Sequence, residues 1–431
     1  MANFIIVMLN FRGDVQGTVL PTTNSLYVEA FRPWKQTNIR QYVYVCAIVL
    51  CCLVFCTMEP RIPGPPDSIV KYHLQGRKIM IAANYYNNAG IMAAHTNEML
   101  VLIKALQKAG ATPYISIYEN GSKDETPTYL RTWKNTLDTN GIESSIFIDS
   151  APSWNDVYND MKANTSGSNL EDLVSFRIRF MAEIRNKALA PLDKSFDDIL
   201  FFNDVIFRAD DILRLLLTSD MNYDVVCSMD FNRVTFYDTW VSRDVNAERM
   251  SSMYPFSADF ATANLVSEGR PFLVSSCWNG VVAMKATPFV EHSIKFRTWR
   301  QNEPRVLGRP GALMNVVYDL TCPASECLLI FEDLYRAGYS RFYIHPTVHV
   351  TYSSLDWVLH SLFGGILNII SLWIFTLHPH GRIPPGHRIP QCGFARDVSL
   401  RPWFIICLLC AQGLIAWRAY RWLGKKKVAI E

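Results

Sequence analysis

The chain has 431 residues with a formal net charge of +3, and 49% of its residues are hydrophobic. This length exceeds that of one small domain, and the apolar content excludes an intrinsically disordered chain. The near balance of charge gives no electrostatic basis for nucleic-acid binding, so we expect no nucleic-acid partner.

The first feature along the chain is an uncharged apolar run at 42–58, YVYVCAIVLCCLVFCTM. Its length is at the short end for a helix that spans a bilayer. Arg32, Lys35 and Arg40 precede it, so the positive-inside rule places residues 1–41 in the cytosol. No small-residue cleavage site follows, which favours an uncleaved signal anchor in contact with membrane lipid over a cleaved signal peptide or a buried core helix. The prediction is a single-pass type II protein of the Golgi or ER membrane.

A Pro-rich stretch follows the anchor, and we interpret residues 59–75 as a stem. Residues 76–356 then form one globular domain in the secretory lumen. Residues 357–431 are a hydrophobic C-terminal region with apolar runs at 357–377 and 403–417. Either run is compatible with a span or with a helix lying flat on the membrane, so the sequence leaves the C-terminal topology open.

Cysteines and sequons agree with a lumenal location. The sequons begin at Asn120 and Asn164, although such triplets are common by chance. Five cysteines lie between the anchor and the apolar run 403–417, in a compartment where disulfides form: Cys227, Cys277, Cys322, Cys327 and Cys392. Because five is an odd number, at least one of these cysteines cannot form a disulfide within the set. No Cys/His set has the spacing of a zinc site.

Short apolar β-type runs alternate with amphipathic stretches from Gly76 to about Ser354. Strands are predicted at 78–84, 113–119, 145–148, 198–202 and 224–229. Strands that alternate with helices predict an α/β fold with a mostly parallel sheet and flanking helices. The chain has no G-x-G-x-x-G, P-loop or G-x-S-x-G motif, which removes the dinucleotide-binding, P-loop and serine-hydrolase explanations of such a sheet.

The stretch FFNDVIF, 201–207, places Asn203 and Asp204 directly after a predicted apolar strand. Ligands of open α/β sheets bind at the carboxyl ends of strands. An acid at that position can hold a divalent cation, and the cation can hold a diphosphate. The alternative is an ordinary Asn-Asp turn.

The helix predicted before that strand carries Arg185 and Asn186 near its end. An arginine there can pair bidentately with a phosphate, whereas the alternative is a solvated helix face.

Several long stretches together resemble the cryptococcal α-1,3-mannosyltransferase and capsule-associated protein family, glycosyltransferase family 69. They occur in order between residues 81 and 353: IAANYYNNAGI, ISIYENGSKDETPTYL, RIRFMAEIRNKALAPL, DDILFFNDVIFRADDILRLL, CSMDF, FYDTWVSRDVN, SCWNG, ECLLIFEDLYRAGY and HPTVHVTYS. The resemblance implies a GT-A-like, Rossmann-type catalytic domain at 76–356. It implies a retaining, metal-dependent transfer of mannose from GDP-mannose to a mannose-containing acceptor in α-1,3 linkage, with Mn²⁺ or Mg²⁺ as cofactor, in fungal capsule or cell-wall synthesis.

The resemblance also implies roles for individual residues. We assign the metal to Asp204. His345 departs from the family pattern; a histidine there is a further candidate ligand, and a surface histidine is the alternative. The donor-site candidates are Asn84, Glu119, Ser122, Arg185, Asn186 and Asn203. The sequence departs from the family pattern at Ala89, where an acid is expected after the two asparagines.

The acceptor or transferred sugar is assigned to two stretches that combine aromatic rings with carboxylates and amides. Their candidate residues are Asp238, Trp240, Arg243, Asp244, Trp278 and Asn279. Core packing is the alternative for both tryptophans. Glu332 and Asp333, expected at the start of a helix, are the catalytic candidates, with helix-dipole stabilisation as the alternative. Glu326 is a weaker candidate.

Two other functions remain open at this stage. One is a transferase of the same fold that uses another sugar nucleotide, such as UDP-xylose. The other is a non-catalytic capsule or cell-wall assembly factor that keeps the fold as a binding scaffold.

Overall fold

The structure is a computed structural model that describes residues 62–150, 156, 157, 159, 170–300 and 324–377. All of them belong to one compact unit, 52–431. The predicted anchor 42–58 and the apolar run 403–417 lie outside the described residues, as do the sequon at Asn164, Cys322 and Cys392. Within the described part of the chain, no helix is long and apolar enough to cross a membrane.

Nine strands form a single sheet. They are β1 (Lys78–Tyr85), β2 (Thr112–Asn120), β3 (Ser144–Asp149), β4 (Asp198–Phe202), β5 (Val225–Asn232), β6 (Thr235–Phe236), β7 (Phe272–Leu273), β8 (Val281–Lys285) and β9 (Phe342–Thr351). The five predicted strands are confirmed within one to three residues at each end.

The described helices flank this sheet. They are α1 (Asp67–Leu74), α2 (Ala89–Lys108), α3 (Thr126–Thr139), α4 (Leu170–Ala188), α5 (Ala209–Leu216), α6 (Phe260–Ser267), α7 (Thr287–Glu291), α8 (Glu326–Arg336) and α9 (Ser354–Leu377). Helix α1 lies within the predicted stem, and the apolar run 357–377 lies within α9.

The strand order is β3-β2-β1-β4-β8-β5-β9-β7, with β6 paired to β5. Strands β3, β2, β1 and β4 are mutually parallel. Strand β8 runs antiparallel between β4 and β5, while β9 pairs in parallel with β5. The α/β prediction is therefore confirmed, but the sheet is mixed, and the mostly parallel arrangement holds only for its first half.

Helices cover both faces of the sheet, which is why all five residues of β4 are buried. Ile199 and Phe201 face one core cluster together with residues of α4 and α8. Leu200 and Phe202 face the other, together with residues of α2, α3 and α5. Alternate residues of one strand thus serve two cores in a three-layer α/β/α arrangement.

A disulfide joins Cys227 of β5 to Cys277, four residues before β8. Both cysteines are fully buried. Cys327 is a free, buried thiol near the start of α8.

Candidate functional site

The carboxyl ends of β1, β2 and β4 meet at one edge of the sheet. Asn84 pairs with Tyr118, and Ala83 pairs with Phe202. Because these strands are parallel, the residues that follow them gather at the same place. Strand β8 runs the opposite way, so its beginning lies at this edge too, and the Asn203 N–H donates to the Gly280 carbonyl (2.8 Å). We call this the carboxyl edge.

Asp204 lies at the carboxyl edge next to the loop after β1. Asn88 Nδ2 donates to Asp204 Oδ2 (2.8 Å). Burial raises the pKa of Asp204, while the Asn88 hydrogen bond and the Arg185 charge oppose the rise. Sequence analysis missed Asn88, although it lies in the same Asn-Asn pair that precedes Ala89.

Side-chain hydrogen bonds connect the loops after β1 and β2. The Ser122 hydroxyl accepts from the Asn87 N–H (2.8 Å), and the Ser122 N–H donates to Glu119 Oε1 (2.5 Å). The Ala89 N–H donates to Asp124 Oδ2 (2.9 Å). A carboxylate therefore does reach the Ala89 position, but it comes from the loop after β2.

Buried acceptor atoms remain at the ends of these two strands. Among the residues that the structure describes, Glu119 Oε2, Asn84 Oδ1 and Asn120 Oδ1 have no hydrogen-bond partner. The other half of the Asn84 amide donates to the Ile184 carbonyl (2.9 Å). Such atoms are uncommon in native proteins and call for an explanation such as a ligand.

An open cleft of about 590 Å³ extends from Ser122 past the ends of β2 and β3. It is lined by Gly121, Ser122, Lys123, Pro127, Arg131, Ile148, Asp149, Ser150 and Asp156. The cleft contains the predicted donor residue Ser122 but none of the predicted acceptor residues.

Arg185 is buried beneath the carboxyl edge in an ion pair that the sequence did not predict. Its Nε donates to Glu326 Oε1 (3.1 Å), and its Nη1 donates to Asn203 Oδ1 (3.3 Å). The guanidinium lies 5.0 Å from the Trp278 ring. Although burial disfavours its charge, the neighbouring acids raise the Arg185 pKa. Arg185 therefore places a permanent positive charge behind Asn203.

Asn186 does not lie free at this edge. Its amide donates to the Phe296 carbonyl (2.7 Å) and accepts from the Phe296 N–H (3.0 Å). Both halves of the amide thus hold the chain before the undescribed segment 301–323, so Asn186 acts on that backbone.

Trp278 and Asn279 precede β8 and reach the same edge. Trp278 is 2% exposed, packs 5.2 Å from the Phe201 ring, and donates from Nε1 to Asn203 Oδ1 (3.3 Å). Asn279 Oδ1 accepts from the Ser242 hydroxyl (2.8 Å). Core packing, the alternative for Trp278, is what the structure shows.

Asp230 ends β5 beside the loop that carries Asp238, and sequence analysis did not single it out. Asp230 is fully buried and accepts from the Tyr352 hydroxyl (2.5 Å) and the Asp238 N–H (3.1 Å). Burial raises the Asp230 pKa to about 6. Burial, and then the charge of Asp230, raise the Asp238 pKa well above its usual value.

The rest of the 238–244 segment holds its own loop. The buried Asp244 carboxylate accepts from the Asn246 and Glu248 N–H groups and from the Ser257 hydroxyl. Arg243 Nη1 donates to the Thr239 and Ser242 carbonyls. Trp240 is half-buried. The structure thus gives Asp244 a structural role and leaves Asp238 as the carboxyl group nearest Asp230.

The catalytic prediction for Glu332 and Asp333 needs correction. Helix α8 begins at Glu326, with Ser325 capping the Cys327 N–H, so both acids lie in its last turns. At 1.5 Å per residue they are about 10 Å beyond Glu326 along the helix. Asp333 is engaged by Arg297 Nε (2.6 Å) and Arg336 Nη1 (3.0 Å), and Glu332 is buried within 3.6 Å of Arg336. Glu326, the weaker candidate, is the acid of this helix that reaches the site.

The two predicted metal ligands do not come together. Thr351, at the end of β9, bonds to Ile206 near Asp204, whereas His345 lies six residues earlier, roughly 20 Å along the strand. His345 Nδ1 lies 3.2 Å from the Thr347 hydroxyl, and burial lowers its pKa to about 3. In the part of the chain with described side chains, no three His, Cys, Asp or Glu residues form a metal site by themselves.

A buried histidine that the sequence analysis overlooked fixes the residue after Asp204. His95 of α2 lies 2.6 Å from the Val205 carbonyl through Nδ1 and 2.6 Å from the Tyr85 hydroxyl through Nε2. Burial lowers its pKa to about 4. The neutral ring therefore donates to Val205 and accepts from Tyr85, which ties the end of β4 to α2 and β1.

Comparison with known proteins identifies the family of this chain. Residues 78–333 match the protein family described as Cryptococcal mannosyltransferase 1. Because this match spans more than half of the chain, the chain belongs to that family, which confirms the resemblance.

The curated alpha-1,3-mannosyltransferase CMT1 of Cryptococcus neoformans var. neoformans serotype D is 28% identical over 283 residues. The alignment covers 59% of this chain and 53% of the relative. The chain therefore spans about half the length of the curated relative that it matches.

Solved structures show a more distant likeness. A Pyrobaculum calidifontis mannosyltransferase, in complex with GDP-Man and Mn²⁺, aligns at TM-score 0.34 and 12% identity over 89% of this chain and 85% of that one. Glucosyl-3-phosphoglycerate synthase from Mycobacterium tuberculosis, with Mn²⁺, uridine diphosphate and glucosyl-3-phosphoglycerate, aligns at TM-score 0.30 and 13% identity over 73% and 86%. Similarity at this level carries no argument about the site of this chain.

Proposed function

We propose that this chain is a GT-A-like, membrane-bound glycosyltransferase that moves mannose from GDP-mannose to a mannose-containing acceptor in α-1,3 linkage. Membership of the mannosyltransferase family and the activity named for the curated relative support the proposal. The observation that carries it is the placement of Asp204 at the carboxyl edge, where loops from β1 and β2 supply Asn88, Glu119 and Ser122. An α-linked donor that gives an α-linked product implies retention.

The donor set at Asp204 fits a divalent cation that is shared with a diphosphate. Mg²⁺ and similar hard cations are commonly held by one or two carboxylates together with substrate phosphates and water. Asp204 has one described side-chain donor, the Asn88 amide, and burial raises its pKa, so a cation beside it would stabilise its charged form. Mn²⁺ or Mg²⁺ held by Asp204 would neutralise charge that develops on the leaving diphosphate.

Residues around the cation would bind and orient the donor. Asn88 holds the Asp204 carboxylate in one orientation. Arg185 adds positive potential behind Asn203, which favours a dianionic diphosphate without direct contact. Ser122 lines the open cleft, and its N–H donates to the buried Glu119. We assign donor binding to these residues and to Asn84.

The acceptor would approach from the β5 side of the edge. Asp238 and Asn279 lie there, connected through Ser242, whose hydroxyl donates to Asn279 and whose N–H donates to the Asp238 carbonyl. Trp278 lies between this side and Asn203, and its Nε1 donates to Asn203 Oδ1. Binding both substrates at one edge aligns the reacting atoms, which is the main contribution expected of such a site.

The disulfide supports the proposed location. Two fully buried cysteines joined in the core require an oxidising compartment for stable formation, such as the ER lumen. A lumenal domain behind the anchor 42–58, in the Golgi or ER membrane, satisfies this requirement.

The experiment uses the purified full chain with Mn²⁺, labelled GDP-mannose and an α-mannoside acceptor. Asp204→Asn is compared with Asp138→Asn, a matched change at an exposed position on α3. We expect transfer by the parent chain and by the control, and a loss of at least ~100-fold for Asp204→Asn and after chelation. Transfer that survives both perturbations would reject the metal assignment.

Substrate competition and calorimetry separate the other readings. Preference for UDP-xylose over GDP-mannose would identify a different transferase of the same fold. If GDP and UDP both fail to bind in the presence of Mn²⁺, the chain is a scaffold, and the enzymatic proposal fails.

A further inference from the structure

Asp230 and Tyr352 form a closed contact at the point where β5, β9 and α9 meet. The Tyr352 hydroxyl donates to Asp230 Oδ2 at 2.5 Å, and Tyr352 precedes α9 by two residues. The second carboxylate oxygen accepts the Asp238 N–H at 3.1 Å. Both oxygens of Asp230 are therefore engaged by donors, and donors of this kind favour the charged form of a carboxylate.

The Asp238 carboxylate accepts fewer described hydrogen bonds than the Asp230 carboxylate. The one that Asp238 accepts is a long contact from the Val241 N–H at 3.3 Å. Its own N–H is committed to Asp230, so the two carboxyl groups are held in one small volume. Two acids this close do not both ionise readily, and the one with fewer donors keeps the proton.

We propose that Asp238 presents a protonated carboxyl group to a hydroxyl of the neutral sugar acceptor, and that Asp230 and Tyr352 are positioning residues that keep the proton on Asp238. This inference rests on the proposed transferase function and assigns the chemistry of its acceptor side. The paired acids carry one negative charge instead of two.

A protonated carboxyl group suits a sugar hydroxyl because each is both a donor and an acceptor. The surroundings provide other groups for a sugar. Tyr237 is 52% exposed and lies 5.0 Å from the Tyr352 ring, so an aromatic face borders Asp238. Asn279 is fully buried, and its Nδ2 has no hydrogen-bond partner within the described part of the chain. An unpaired buried donor next to this loop is a position that a hydroxyl oxygen would satisfy.

The charges around Asp238 come from several elements. Burial and then Asp230 of β5 oppose its ionisation. Arg185 of α4 and Arg243 of its own loop favour ionisation and lower the Asp238 pKa, yet burial and Asp230 act more strongly. Tyr237, Tyr352 and Cys327 are further titratable groups that interact with Asp238. The pKa of Asp238 is therefore raised first by burial and then by its neighbour Asp230, and its carboxylate accepts only one described hydrogen bond, which opposes the rise.

The first test measures stability and needs no substrate. An acid whose pKa is raised on folding contributes stability that is present below its unfolded pKa, near 4, and that is lost as pH rises through the folded pKa. Asp238→Asn removes this dependence. We expect the Tm of Asp238→Asn relative to the parent chain to increase steadily from pH 4.5 to pH 8. Asp138→Asn is the matched control and should show no such trend.

The second test measures the pH dependence of transfer with GDP-mannose. Ionisation of Asp238 removes its donor, so kcat/KM of the parent chain should fall at alkaline pH. Tyr352→Phe withdraws the donor that stabilises charge on Asp230, so Asp230 competes for the proton and the fall should move to lower pH. Tyr72→Phe, at a position that is 83% exposed, is the control. Asp238→Asn should be slower and lack the alkaline fall, because an amide does not titrate.

The outcomes separate this inference from the proposed function. Transfer activity with a pH-independent Tm difference for Asp238→Asn would overturn the inference and leave the transferase intact. An alkaline limb that Tyr352→Phe leaves unmoved would also overturn it. Absence of transfer by the parent chain, together with the predicted Tm trend, would reject the transferase and keep the proton assignment.

Discussion

Replacing Arg185 by methionine tests whether this arginine is chiefly part of the folded core. The Arg185 and Glu326 side chains are 8% and 4% exposed, and they are paired at 3.1 Å. Removing one partner of such a pair leaves a buried carboxylate without compensation, which costs about 3–5 kcal/mol. Loss of the Asn203 hydrogen bond adds about 1 kcal/mol. We therefore expect Arg185→Met to lower the free energy of unfolding by about 4–6 kcal/mol.

A double-mutant cycle makes the test specific. Arg185→Met, Glu326→Gln and the double variant are unfolded in urea and followed by tryptophan fluorescence, with the slope m required to stay constant. We expect a coupling energy of at least ~2 kcal/mol. The exposed Lys134–Asp138 pair, whose side chains are 36% and 52% exposed, is the matched control and should give below ~1 kcal/mol. A loss under ~1 kcal/mol for Arg185→Met would refute the buried-pair reasoning and favour an arginine that acts only on the donor.

Three further predictions concern the elements around the site. Cys227→Ala with Cys277→Ala should destabilise the chain by about 4 kcal/mol in the loop-entropy description, since the bridge spans 50 residues, and thermal denaturation of the oxidised and reduced forms checks it. Gly280→Ala should lower the free energy of unfolding in urea by at least ~2 kcal/mol, because φ is +80° and a Cβ would lie 2.4 Å from Val350 Cγ2. The control Gly141→Ala, which has a positive φ but open space around it, should lower it less. His95, with its pKa lowered to about 4, gives stability that is present above pH 6.5 and lost as pH falls towards 4. His95→Gln should flatten that part of the stability profile, and an unchanged profile would contradict it.

The local elements of the fold followed from the sequence. The strands at β1, β2 and β4 were predicted because apolar runs end in polar residues at each of them. The same pattern correctly placed Asn84, Glu119 and Asp204 at one edge, since parallel strands end together. These inferences depend only on short-range patterns.

Long-range pairing is what the sequence did not show. Strand β8 has five residues, and nothing in Val281–Lys285 indicates that it lies antiparallel between β4 and β5. The burial of Arg185 against Glu326 depends on the docking of α8, which starts earlier than its acidic pair suggested. Asp230 was overlooked because its significance arises from Tyr352, far away in the chain. His345 does not reach Asp204, because His345 lies six residues before the end of β9 whereas Asp204 lies at the carboxyl edge.

The reversed direction of β8 makes residues 233–280 one excursion between two strand ends. The excursion begins at the end of β5 and ends at the start of β8, so both junctions lie at the carboxyl edge, and on its way it adds β6 beside β5 and β7 beside β9. The Cys227–Cys277 disulfide links β5 covalently to the end of this excursion, four residues before β8. The excursion also contacts the end of β4, because Trp278 packs against Phe201 and donates to Asn203. Under the proposed function, a residue change in the excursion can therefore affect the acceptor side directly and the Asn203 side through Trp278.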